Sequence, residues 1–206
     1  MMADQLYLSL WYPNFRLEAL PAALERVMEQ FVAAGGSSRV AAATVYPISW
    51  NESPVYQRIY RAETEDAEAS PRVAIAAAME TAHEDYAWEF ELIWELWVPE
   101  QAEGFDTMWR QEPRVVRVVG FGPQFDDEAY ETNGHIRVDF GPDTPFLYEG
   151  MDLDEEAVAR VQQNVQRLVE FTQGVQKNGG ISTRLLWSES GESLARKLIE
   201  RLQQVN

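Results

Sequence analysis

Residues 88–98 read Trp-Glu-Phe-Glu-Leu-Ile-Trp-Glu-Leu-Trp-Val. Every even position is large and apolar: Trp88, Phe90, Leu92, Trp94, Leu96 and Val98. The odd positions carry Glu89, Glu91 and Glu95, interrupted by Ile93 and Trp97. A period of two puts alternate side chains on opposite faces of an extended chain, so this stretch predicts a β-strand with one face in the core. At about 3.3 Å per residue it crosses a whole small domain, and the rest of the chain is expected to pack around it.

Upstream, Leu6, Leu8 and Leu10 alternate in a strand over 5–12 that ends at Pro13-Asn14. Leu20, Leu24, Val27, Met28 and Phe31 recur at helical spacing over 17–34. Pro21 fits only a first turn, so the regular helix begins near Leu20, and Gly35-Gly36 supplies the stop. Strands follow at 39–49 and 55–61. The alanines of the first imply a close neighbour, such as a helix lying on it, and Pro47 marks an edge or bulge. Ser70-Pro71 reads as N-cap and N1 of an alanine-rich helix reaching Ala82, with His83 at its end. The order to this point is βαββαβ, the ferredoxin-like split βαβ.

Downstream, 100–112 reads as a polar loop holding Phe105, Met108 and Trp109. Residues 114–121 form a strand with valines on both faces, as in a central strand. An acidic loop at 126–131 and an Asn133-Gly134 turn precede a strand at 135–140, and Pro145–Tyr148 extends the sheet. Asp152 with Glu155 resembles a capping box. It opens a helix with an apolar stripe of Val158, Val161, Val165, Leu168, Val169 and Val175. A strand at 181–187 and a final helix capped by Ser190 complete the chain. The expected class is α+β: a mixed, mostly antiparallel sheet with helices packed on it. It forms one domain over 1–206, or two tightly joined halves at about 1–110 and 111–206. Each half has a Gly-Gly stop and a strand ending in Trp followed by Glu-Ser, which leaves a duplication open.

With 206 residues, 46% hydrophobic and 12% aromatic, the chain has ample material for a core. Lys and Arg total 17 against 34 Asp and Glu, a net charge of −17. Phosphates are repelled by such a surface, which disfavours nucleic acid and anionic membranes and leaves a basic protein partner, a cation or simple solubility as its uses. The absence of Cys excludes disulfides, thiolate metal sites and cysteine nucleophiles. Met1-Met2-Ala3-Asp4-Gln5 has no basic segment of a signal peptide, and no apolar run approaches the roughly 20 residues of a membrane span, so the expected location is the cytoplasm.

Glu89, Glu91 and Glu95 share a strand face, on which residues two apart are about 7 Å apart. Paired carboxylates serve as acid and base in hydrolysis, yet any wet strand face produces the same spacing. The two histidines, His83 and His135, show no metal-ligand spacing, and the acidic loops at 63–68 and 126–131 lack the calcium-loop pattern. Gly120-Phe121-Gly122-Pro123 lacks the third glycine of a nucleotide loop, and Ser188-Glu189-Ser190-Gly191 is no nucleophile elbow. No cofactor and no metal are expected. The expected function is a non-enzymatic interaction module that meets a basic protein through Glu89, Glu91, Glu95 and Trp97. Immunity proteins that neutralise basic toxins share this profile, an analogy of charge and composition alone. The alternative is a hydrolase or metal-dependent enzyme using those carboxylates with His83 or His135; a structural subunit or homodimer is a third reading. The enzyme requires at least two of the carboxylates in a concave pocket beside a histidine.

Overall fold

The computed structural model describes residues 4–100, 108–127, 129–148, 154–191 and 197. Seven strands form one sheet: β1 (Gln5–Trp11), β2 (Val40–Pro47), β3 (Tyr56–Ile59), β4 (Tyr86–Glu100), β5 (Met108–Phe121), β6 (Ile136–Pro142) and β7 (Thr183–Ser188). Their spatial order is β3-β2-β4-β5-β6-β1-β7, and every ladder is antiparallel rather than mixed. The helices are α1 (Leu20–Ala33), α2 (Pro71–Ala78), α3 (Ala129–Asn133), α4 (Thr144–Leu147) and α5 (Glu155–Asn178). Among the described residues no helix is long and apolar enough to cross a membrane.

The stretch at 88–98 lies within β4, near the middle of the sheet. Trp88, Phe90, Leu92 and Trp94 are fully buried, and Leu96 and Val98 nearly so. They face α1, which packs between α2 and α5. Phe31 of α1, Trp94 of β4, Phe140 of β6 and Phe171 of α5 meet in edge and tilted ring contacts 5.2–6.4 Å between centroids. This is the α+β core expected from the alternation; α1, α2 and α5 leave the other sheet face open except at one end, where the short α3 packs through Ala129. Helix α1 begins at Leu20 with Pro21 in its first turn, and Gly35 beyond its end takes φ +85, which a side chain would oppose.

The chain does run β-α-β-β-α-β through β4, but its strands do not assemble in the ferredoxin-like way. A split βαβ keeps its first two strands one strand apart; here β4, β5 and β6 all stand between β1 and β2. Strands formed later in the chain, the β4–β5 hairpin and β6, take the places beside β1 and β2. Element order alone carries no information about such non-local pairing.

Several local expectations are corrected. Residues 108–112 are strand, not loop: they pair with β4 out to Glu100↔Met108. Their charged side chains pair with one another, Arg110 with Glu100 and Glu112, and Arg114 with Glu112, so polarity there reflects a hairpin arm wet on its sides. Phe105 and the rest of 101–107 lie outside the described residues. Pro145–Tyr148 adds no strand; Thr144–Leu147 make one helical turn that ends at Tyr148 with φ 42. Helix α2 starts at Pro71, yet the Ser70 hydroxyl donates to the Ala67 carbonyl at 2.7 Å instead of capping. The helix also stops at Ala78, which leaves His83 beyond its end. Helix α5 is capped by Asp154, whose carboxylate accepts from the Ala157 N–H at 2.8 Å; Asp152 lies outside the described residues. On α5, Val169 is 37% exposed, while Asn164 and Phe171 are buried. Asn133-Gly134 joins α3 to β6 and is not a hairpin turn. Of the expected last helix only Lys197 is described; it bridges Asp143 at 3.1 Å and Asp4 at 3.5 Å.

Candidate functional site

The sheet face opposite α1, α2 and α5 carries the candidate site, and strand register assembles it. One cross-strand row reads Ile59, Ala42, Glu91, Arg117, Asp139, Tyr7, Trp187. The next reads Gln57, Thr44, Glu89, Val119, Arg137, Ser9, Leu185. Strands lie about 4.8 Å apart, so charges two strands away still act on one another at this surface. Small residues on β2, Ala42 and Thr44, leave room between the taller neighbours. The result is an open cleft of about 910 Å³ whose lining includes Tyr46, Trp50, Glu89, Glu91, Arg117, Arg137 and Asp139. Ala43, one position from the cleft residues, is fully buried toward the helices, where α2 lies on β2.

Two loops wall one end. Trp50 sits edge-on to Tyr46, Phe121 and Phe125 at 5.1–6.1 Å, over a small apolar cluster with Ala87, Val119 and Ala129. Three residues other than glycine there adopt positive φ: Ile48 at 62, Asp126 at 48 and Asp127 at 49. For a β-branched side chain such as Ile48 this conformation is strained. Neighbours hold it in place: the Ile48 N–H donates to the Asp85 carbonyl at 2.6 Å, and its carbonyl accepts from the Asp126 N–H at 2.8 Å. Gly122 is required by close approach, because a Cβ there would stand 2.3 Å from the Glu84 carbonyl oxygen.

The charges are unequally satisfied. Arg117 donates from Nε to Glu91 at 3.1 Å and lies 4.0 Å from Glu89. The Glu89 side chain is only 16% exposed. Burial raises its carboxyl above the usual range, against the lowering effect of Arg117. Asp139 accepts from the Gly141 N–H at 2.8 Å. Arg137 is enclosed by rings: its guanidinium carbon lies 5.2 Å from the Tyr7 centroid, 5.5 Å from Phe121 and 6.0 Å from Trp50. Burial works against its charge, which Tyr7, Asp139 and Glu89 support electrostatically. Its Nε is sealed from solvent without an acceptor, and among the described residues the Arg137 side chain makes no hydrogen bond. Tyr7, pushed up to about 12 chiefly by burial, remains a neutral phenol that donates to Glu189 at 3.1 Å.

The residues singled out from sequence separate into two groups. Glu89 and Glu91 line the cleft. Glu95 is exposed and outside that lining, its carbonyl taken by Arg167. Trp97 turns to α5: its indole N–H donates to Gln163 at 2.8 Å, and Arg160 stacks 4.0 Å over the ring. Neither histidine joins the carboxylates. His83 packs on Tyr86 at 4.8 Å. His135 stacks on Phe15 and Tyr130, accepts from the Tyr12 N–H through Nδ1 at 3.0 Å, and is held down at about 4 by burial. Among the described residues no group of three His, Cys, Asp or Glu side chains gathers as a metal site.

Reading the sequence missed Arg117, Arg137, Asp139, Tyr7, Tyr46 and Trp50. A signal existed for Arg137 and Asp139, which alternate with the inward Ile136, Val138 and Phe140. That they face Glu89 and Glu91 is a matter of register. Comparison with protein-family models, with curated proteins and with solved structures yields no match to this chain.

Proposed function

We propose that the protein is a non-enzymatic interaction module that seats a basic segment of a protein partner in the cleft on its open sheet face, opposite α1, α2 and α5. The observation that carries this reading is Glu89, a carboxylate at 16% exposure whose nearest cation stands 4.0 Å away. A desolvated carboxylate with so little compensation gains strongly from a donor that arrives with a ligand. Glu91 and Asp139 add negative potential beside it, the chain as a whole carries −17, and Trp50, Tyr46 and Tyr7 provide aromatic surfaces of the kind that anchor interfaces. The analogy to immunity proteins belongs to this reading: a neutraliser of a basic toxin needs such a face.

Burial of Glu89 also favours acid–base chemistry, and it keeps the hydrolase alternative as a second reading. That alternative is weakened by the ion pair that ties Glu91 to Arg117 and by the placement of both histidines away from the cleft. Turnover of ester or glycoside substrates that is lost in Glu89→Gln would favour it.

The test uses immobilised protein and native cell extract. The captured partner should be basic, and its association should slow as salt rises and screening shortens to about 8 Å at physiological strength. Glu89→Lys with Glu91→Lys should abolish capture at an unchanged circular-dichroism spectrum. Glu95→Lys, a reversal outside the cleft, should leave it nearly intact. The opposite pattern places the interface on the hairpin arm and removes the cleft from the reading.

A further inference from the structure

We infer that Arg137 is the backbone anchor of this cleft: its guanidinium takes a neutral carbonyl oxygen of the bound basic segment while Glu89 takes that segment's cation. The inference rests on the docking reading above and adds the second contact, which fixes how the segment lies.

Three observations lead to it. First, Arg137 lines the cleft, yet its guanidinium makes no hydrogen bond among the described residues, although it carries five N–H donors. Second, Tyr7, Phe121 and Trp50 crowd its guanidinium at 5.2–6.0 Å. Rings favour the π-faces of a guanidinium and leave its in-plane N–H edge for an acceptor. Nε is sealed, so the terminal nitrogens are the ones that remain for a ligand. Third, the surrounding charge selects the acceptor. Asp139 and Glu89 already compensate Arg137 electrostatically, and Glu91 adds to the negative side. A carboxylate arriving here would meet these three acids, whereas a peptide carbonyl accepts the same in-plane hydrogen bond without a charge of its own. A peptide unit that carries a basic side chain presents both groups at once. Val119 lies between Glu89 and Arg137 in the cross-strand row, so the two contacts are two strands, about 10 Å, apart at the backbone. That span is within reach of one extended arginine or lysine and its own or its neighbour's carbonyl.

Two probes separate the contacts: the blocked peptide acetyl-Gly-Arg-Gly-amide, and n-butylguanidinium, which has the cation and no carbonyl. Binding is read from the Trp50 indole N–H resonance, assigned with Trp50→Phe, in nuclear magnetic resonance titrations of the whole protein. The wild type should bind the peptide about tenfold or more tightly than the guanidinium, as one charge-assisted hydrogen bond allows. Arg137→Met should bring that ratio close to one while the guanidinium still binds. Arg137→Lys retains the charge and loses the planar fork; it should lower the ratio and serves as the folded control if the methionine variant loses spectral dispersion. Glu89→Gln should weaken both probes alike and leave the ratio unchanged. A ratio near one in the wild type, or a ratio that survives in both Arg137 variants, overturns the anchor and leaves cation docking standing. If neither probe shifts the Trp50 resonance, the cation-docking reading fails and the anchor with it.

Discussion

Replacing Asn164 by leucine removes a side chain that stands in for a missing strand. Beyond Leu92, β4 runs past the end of its ladder with β2; the Ser37 N–H still reaches the Ile93 carbonyl at 2.9 Å, but farther out the edge would be left without partners. Helix α5 supplies them. Asn164, fully buried, accepts the Trp97 N–H at Oδ1 (2.9 Å) and donates from Nδ2 to the carbonyls of Trp97 (2.9 Å) and Pro145 (2.8 Å). Trp97 has a second donor at its carbonyl, the Tyr148 hydroxyl at 3.1 Å, so the leucine variant strands two groups: the Trp97 N–H and the Pro145 carbonyl. Each stranded buried group costs about 1–3 kcal/mol, which places the loss at about 2–6 kcal/mol. In urea titration, with a slope of about 2 kcal/mol/M, the midpoint should fall by about 1–3 M with the slope unchanged. Asn164→Asp sharpens the test. Its carboxylate can still accept from Trp97 but opposes two carbonyls, and it becomes a donor on protonation. Relative to wild type at the same pH, this variant should therefore be more damaged at pH 7 than at pH 4. A leucine variant within about 0.5 kcal/mol of wild type would refute the reasoning, because it would mean that water or backbone adjustment satisfies the edge.

Phe90→Ala, at a fully buried position of β4, should cost about 3–5 kcal/mol in denaturant titration, and a near-neutral result would remove that face from the core. His135 is held down at about 4 by burial, so the folded protein stays neutral there while the unfolded chain takes up a proton near 6.5. Its contribution is complete above pH 6.5 and drains away as pH falls toward 4, by about 1–2 kcal/mol after allowance for solvent screening. His135→Asn keeps an acceptor for the Tyr12 N–H and does not titrate; it should flatten the stability profile in that window, and an unchanged slope would assign the acid loss to other groups. Arg117→Met should push the Glu89 carboxyl further up, read by carbon NMR titration of the side chain, since Arg117 is the main influence opposing its burial. A Glu89 titration that does not move would place its cationic neighbour elsewhere.

Much of this protein was legible in its sequence wherever the physics is local. The alternation at 88–98 decided which side chains of β4 face the helices, because the pleat turns successive residues to opposite faces whatever strand lies alongside. Pro21 and Gly35 marked the limits of α1 for equally local reasons of backbone geometry. Glu89 and Glu91 stood out as a pair on the wet face, and they do line the cleft. Glu95 and Trp97 carried the same odd-numbered signature, but what they meet depends on α5, which caps the strand edge beyond the β2 ladder. Strand order was likewise out of reach: valines on both faces of 114–121 did mark β5 as a central strand, but the βαββαβ sequence of elements says nothing of β6 settling against β1 or of β4, β5 and β6 standing between β1 and β2. The composition of the cleft followed from that order. Arg117, Arg137 and Asp139 come from strands 26–50 residues away in the chain from Glu89 and Glu91, and only register brought them onto one face. Alternation along a strand is set by each residue's own backbone, whereas contact across strands is set by which edges close, and edge closure is a property of the whole chain.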